Sequence, residues 1–147
     1  MDVTTAIRLM LPDDRAFVLS AWSSSLRSSR DVPLIPMSMW ASVMRPVLEH
    51  MLDRTTAGTL VAHGEVLQGF ICVEPNYVLY LYVAQPFRRL GIARALLAAA
   101  GIDPAQRFGY ACRTRASWQL LQVHRKAPLA AYDPFHVRFD NSEWSPE

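Results

Sequence analysis

Lysine is almost missing from this chain. Of its fifteen basic residues fourteen are Arg, and Lys126 stands alone. Thirteen acids nearly balance them, and a net charge of +2 gives no field strong enough to mark a nucleic-acid binder by itself. Long apolar runs are also missing: none approaches the roughly 20 residues that cross a bilayer, so no membrane partner is expected. The opening Met1-Asp2-Val3-Thr4-Thr5 has no basic segment followed by an apolar one, and no signal peptide is expected. Cysteine is limited to Cys72 and Cys112, each inside an apolar strand-like run. Free thiols in a reducing cytoplasm are the expectation. No His, Cys or carboxylate group has metal-ligand spacing, so no metal is expected. Two common phosphate motifs, Gly-x-x-x-x-Gly-Lys-Ser/Thr and Gly-x-Gly-x-x-Gly, do not occur. There is no repeat, low-complexity tract or dividing linker.

What is present is a folded composition. Apolar residues make up 51% of the 147 and charged residues 19%, enough for one domain over residues 1–147. The excess of Arg over Lys fits biased base composition, and Arg is also the better partner for planar anions.

Along the chain, Thr4–Met10 reads as a strand. Pro12-Asp13-Asp14 opens a helix with Phe17, Ala21 and Trp22 on one face. The stretch Ser23–Asp31 breaks the period and reads as a polar, mobile segment. A second helical region over Ser38–Arg54 carries the stripe Trp40, Val43, Met44, Val47, Leu48 and Met51, with a kink or a division into two short helices expected at Pro46. Thr59–His63 and Val66–Val73 form a hairpin about Gly64-Glu65. Val78–Val83 is apolar on both faces, as for a central strand covered on both sides. A helix runs from near Gly91 to Ala100 and stops at Gly101. A strand over Phe108–Arg113, a short helix over Ser117–His124 and a last strand over Phe135–Phe139 follow. The order β-α-α-β-β-β-α-β-α-β predicts an α/β sandwich on one mixed sheet.

The most informative stretch is Val78–Leu97: a buried strand, a tight turn and the first turns of a helix. A turn of this kind aims several backbone N–H groups at one point, which is how a diphosphate is held. Gly91 allows close backbone approach to an anion. The N–H groups of Arg88, Arg89, Leu90, Gly91, Ile92 and Ala93 are the candidate cradle, and the guanidinium of Arg88, Arg89 or Arg94 can add charge-assisted bonds.

The order strand, Arg88-x-x-Gly91-x-Ala93, helix resembles the acyl-CoA-binding motif of the GCN5-related N-acetyltransferases. Leu81-x-Val83 before the turn and Leu96-Leu97 after it match the family pattern, and the element order matches over nearly the whole chain. Ala21–Arg27 and Val78–Ala93 are further similar to small phage or prophage members. The resemblance implies a mixed, mostly antiparallel sheet with a V-shaped splay and helices on both faces. It implies acetyl-CoA as co-substrate, its diphosphate on the turn and its pantetheine arm beside Tyr82 and Val83. The gap would lie between Val78–Val83 and Phe108–Arg113, with the thioester near Tyr80, Tyr82, Tyr110 and Cys112.

The family commonly protonates the leaving thiolate with a Tyr on the helix after the splayed strand. Here that segment reads Thr114–His124, with Leu121 at roughly the Tyr position. Tyr82, His124 and Tyr132 are the candidate catalytic residues instead. Glu74 and His63 are weighed as bases against plain turn roles. Arg27, Arg30, Tyr110 and Arg113 are candidates for the acceptor site. The implied activity is direct acetyl transfer to an amine, carried by a small molecule or a protein. A CoA-binding protein without catalysis and an enzyme modifying tRNA or DNA are the alternatives, and a homodimer is left open.

Overall fold

The computed structural model describes residues 5–27, 36–55 and 58–111, with the backbone of 130–132. Strand β1 spans Ala6–Leu9, and a 3-10 turn over Pro12–Asp14 leads into helix α1, Arg15–Arg27. Helix α2 covers Met37–Arg54. Strands β2 (Thr59–His63), β3 (Leu67–Glu74) and β4 (Tyr77–Val83) follow. A 3-10 turn over Gln85–Phe87 precedes helix α3, Ile92–Ala99, and β5 (Phe108–Tyr110) and β6 (Ala130–Tyr132) complete the described elements. The six strands lie side by side in chain order. β1 to β4 are mutually antiparallel neighbours, whereas β5 joins β4, and β6 joins β5, in parallel.

Side-chain alternation along the strands divides the core into two layers. On one face Val61, Phe70, Cys72 and Tyr80 pack under Val18, Trp22 and Leu26 of α1 and Trp40, Leu48 and Leu52 of α2. On the other, Ala62, Ile71, Leu81 and Val83 pack under Ile92, Leu96 and Leu97 of α3. β4 serves both layers, which explains why nearly all of its seven residues are buried.

The strand β4 is hydrogen-bonded along its whole length to β3 but only at its start to β5. Its register with β5 covers Tyr77 and Val78 alone. The amides of Gly109 and Ala111 donate to the carbonyls of Asn76 and Val78, each at 2.9 Å. The described part of β5 ends at Tyr110, opposite Val78. A β-bulge follows on β4: Cys72 faces Tyr80 and Val73 faces Val78, so Leu79 is an extra residue on β4. A bulge raises local twist and bends its strand.

Three sequence expectations change. The helix α1 continues through Arg27 where a polar break was expected, because Trp22 and Leu26 stay on its buried face and the Ser25 hydroxyl donates back to the Ala21 carbonyl at 2.6 Å. α2 passes through Pro46 as one helix. Tyr132, expected in a loop, has its backbone in β6 opposite Tyr110. The expected helix over 117–124 and strand over 135–139 lie outside the described residues.

Candidate functional site

The open edge of β4 has a defined polarity. The Ala84 amide donates to the Gln68 carbonyl of β3 at 2.8 Å, so strand alternation turns the peptide groups of Tyr82 to β3 and those of Val83 to the opening. The Val83 side chain is buried against α3, leaving its backbone as the part that faces the gap. Its carbonyl accepts a hydrogen bond from Arg88 Nε at 2.9 Å. The N–H of Val83 faces the opening with no strand partner among the described residues.

The turn from β4 to α3 combines two left-handed residues. Arg89 has φ 67° and Gly91 φ 84°. Gly91 is the N-cap of α3, and alternation of left- and right-handed residues gathers successive N–H groups on one side. The leading N–H groups of a helix have no intrahelical acceptor, and the helix dipole adds positive potential there. A Cβ placed on Gly91 would meet no heavy atom within 4 Å, so the space in front of this residue is open. Arg89, Leu90 and Arg94 are exposed around it, Arg88 and Ala93 are partly covered, and Ile92 is buried as the anchor of the helix. Between Glu74 and Asp103 the chain has three Arg and no carboxylate. The arrangement is a cationic, donor-lined cradle suited to a diphosphate. One expected donor is withdrawn from it: the amide of Arg88 donates to the Gln85 carbonyl at 3.2 Å.

Tyrosines of β4 occupy the opposite face from α3. Tyr80 is 1% exposed and stacks on Trp22 with ring centroids 5.1 Å apart. Its hydroxyl lies 2.5 Å from Ser25 Oγ; since Ser25 donates to Ala21, Tyr80 supplies the proton between them. Tyr80 is therefore a core residue, tied to α1. Tyr82 is half-buried, edge-on to Phe17 at 6.4 Å and tilted on Phe70 at 5.6 Å. It stands on the open segment of β4 and remains a candidate. Tyr110 is half-buried and packs on the α3-side core.

The weighed bases lie elsewhere. Glu74 is bonded to Arg54 Nη2 at 2.7 Å and sits opposite Tyr77, at the closed end of the splay. His63 is at the β2–β3 hairpin, its Nδ1 3.4 Å from the Gly64 carbonyl. Burial pushes the Cys72 thiol up to about 12, the hydrogen bond from Thr59 opposing it only in part. Arg27 is the half-buried last residue of α1. Arg30, Cys112, Arg113 and His124 lie outside the described residues, as does the side chain of Tyr132. Among the described residues no His, Cys and carboxylate group gathers to hold a metal, and no helix is long and apolar enough to cross a membrane. Sequence reasoning missed Gly69. A Cβ there would lie 2.4 Å from the Tyr82 carbonyl, so this glycine lets β3 close on the open part of β4. A glycine inside a strand is the available signal for such an approach.

This arrangement of strands and helices recurs in solved structures. A protein from Pyrococcus furiosus described as an acetyl transferase superposes with TM-score 0.54 at 21% identity, over 67% of this chain and 72% of its own. YjaB from Escherichia coli superposes with TM-score 0.51 at 17% identity, over 66% of this chain and 64% of its own. The GCN5-related N-acetyltransferase from Rhodopseudomonas palustris gives TM-score 0.50 at 22% identity, over 69% and 66%. This chain has the GCN5-related N-acetyltransferase fold. The GNAT fold accounts for the mixed, mostly antiparallel sheet and the helices on both faces. The match to YjaB takes in less than two thirds of that protein. No family model matches the chain, and no curated protein matches it.

Proposed function

We propose that the chain binds an acyl-CoA, with acetyl-CoA as the first choice, and transfers the acyl group to an amine. The observation that carries this reading is continuity: the Val83 N–H, turned away from β3, leads directly into the left-handed Gly91 and the N-terminus of α3. A ligand with a diphosphate and an amide-bearing arm fits that geometry, the diphosphate at the turn and the arm along β4 as an added strand. The backbone N–H groups of Gly91, Ile92 and Ala93 hold the diphosphate, and Arg89 and Arg94 neutralise it. Coenzyme A supplies the thioester as the acyl donor. The N–H of Val83, directed into the gap, offers a donor to a carbonyl of the arm. Of the two tyrosines on residues 79–83 of β4, Tyr80 is tied to Ser25, which leaves Tyr82 as the candidate proton donor, with His124 and Tyr132 as alternatives to it.

A second reading keeps the cofactor and drops the reaction. It is favoured by the lack of any carboxylate or His on β4, by the ion pair of Glu74 with Arg54 and by the tie between Tyr80 and Ser25. Calorimetric titration with acetyl-CoA and CoA tests both readings. Saturable binding of both is expected, and no heat at millimolar ligand would reject the cradle. Thiol release from acetyl-CoA across a panel of small amines and peptides separates the two: release supports transfer, and binding without release supports the second reading.

A further inference from the structure

We propose that Arg88 is a positioning residue of the cradle and acts through the N–H of its Nε, not through its charge. Two of its donors point inward. The backbone N–H reaches the Gln85 carbonyl at 3.2 Å, and Nε–H reaches the Val83 carbonyl at 2.9 Å. Together they fasten the turn to the last residue of β4. Immediately afterwards the backbone enters the left-handed region at Arg89 and again at Gly91, with φ 67° and 84°. A residue with a Cβ is costly in that region and stays there only where its surroundings over-determine it. The Nε bond supplies such a constraint one residue ahead of Arg89. It also decides the chemistry of the open edge. With its carbonyl engaged, Val83 presents the gap with a donor and not with an acceptor. Arg89 and Arg94 are exposed and make no side-chain hydrogen bond among the described residues, so they are the residues whose charge acts on an anion.

Three substitutions separate donor from charge. Gln carries Nε2 the same number of bonds from Cα as Arg Nε, so Arg88→Gln keeps the donor and removes the charge. Arg88→Lys keeps the charge and moves the donor one atom outward. Arg88→Met removes both. The first readout is CoA affinity by calorimetry at several salt concentrations, which rests on the proposed cofactor. Arg88→Gln is expected within about twofold of the unsubstituted chain, and Arg88→Met weaker by about threefold to tenfold, the range for one lost hydrogen bond. The salt dependence of affinity stays the same in Arg88→Met and becomes shallower in Arg89→Gln, because only a charge facing the anion is screened. Equal weakening in Arg88→Gln and Arg88→Met, with Arg88→Lys near the unsubstituted value, would overturn the proposal.

The second readout is hydrogen exchange, without ligand, of the hydrogen-bonded amides that flank the turn, Phe87, Arg88 and Ala95, which needs no assumption about CoA. Exchange is expected to rise about threefold to tenfold in Arg88→Met and to stay unchanged in Arg88→Gln. Unchanged exchange in Arg88→Met would overturn the proposal. If the unsubstituted chain fails to bind CoA, the functional reading falls, and the exchange experiment still decides the role of Arg88.

Discussion

Replacing Gly91 by Val separates the fold from the cradle. The residue holds φ 84°, where an L side chain costs about 1–2 kcal/mol, a β-branched one at the upper end. No steric cost adds to this, because no heavy atom lies within 4 Å of the new Cβ. For a chain of this size each kcal/mol moves the melting temperature by about 2–4 °C, so a fall of about 2–8 °C is expected, with the cooperative transition retained. Binding suffers far more. The valine methyls stand in the open space ahead of α3 and hold an anion away from its leading N–H groups. Hydrogen bonds to a charged group contribute about 1.5–3 kcal/mol each. Loss of two therefore weakens CoA by at least about 100-fold. Gly91→Asn is the control, since Asn tolerates the left-handed region; its melting temperature falls less, yet its side chain enters the same space and CoA binding still drops. Calorimetry and thermal melts on the same samples give both quantities. A Kd within about threefold of the unsubstituted value, in a variant that melts cooperatively, would place the diphosphate elsewhere and refute the reasoning.

Asp14 governs the acid side of stability. Arg8 Nη2 bonds its Oδ1 at 3.1 Å and Nη1 bonds Oδ2 at 2.5 Å, while the Leu11 amide adds 2.8 Å to Oδ2. The Arg8 hydrogen bonds hold its carboxyl below the usual range, so its contribution is full above the unfolded value of about 3.9 and fades as pH falls through it toward the folded one. Asp14→Asn should flatten that acid limb in denaturation midpoints taken from pH 6 to 2, and an identical limb in both proteins would disprove the assignment. Cys72, buried with its thiol pushed up to about 12, should resist a thiol reagent at pH 8 in a Cys112→Ser background until denaturant is added; rapid stoichiometric labelling of the folded protein would contradict it. Gly69→Ala drives a Cβ to 2.4 Å from the Tyr82 carbonyl, an overpacking expected to cost about 1–3 kcal/mol in urea unfolding. An unchanged midpoint would show that β3 and β4 can separate freely.

Much of the strand–turn–helix geometry was legible in the residues. The apolar run of β4, Gly91 and the small apolar residues of α3 are neighbours in sequence, and local rules for strands, left-handed glycine and helix starts act over such distances. Other features depended on partners far away in the chain. The polar run Ser23-Ser24-Ser25 argues for a break, yet α1 passes through it because Trp22, four residues before Leu26, finds Phe70 and Tyr80 of the sheet. Tyr80 and Tyr82 read alike on β4. Tyr80 is tied into the core by Ser25, 55 positions earlier, whereas Tyr82 stands two residues further along on the open segment.

The amino-acid sequence by itself determined that a buried strand passes through a glycine turn into a helix, with three Arg and no acid over the turn and the start of the helix. Those are local matters of side-chain pattern and backbone freedom. Tertiary structure alone decided that β5 joins β4 in parallel at Tyr77 and Val78, that Leu79 bulges against β3, and that Arg88 turns inward to Val83. Strand pairing and the direction of a long side chain are set by contacts between segments, and no residue of the strand–turn–helix stretch carries that information alone. The Val78–Leu97 stretch thus supplies the elements of the proposed cradle, and contacts with β3 and the core under α3 set where they stand.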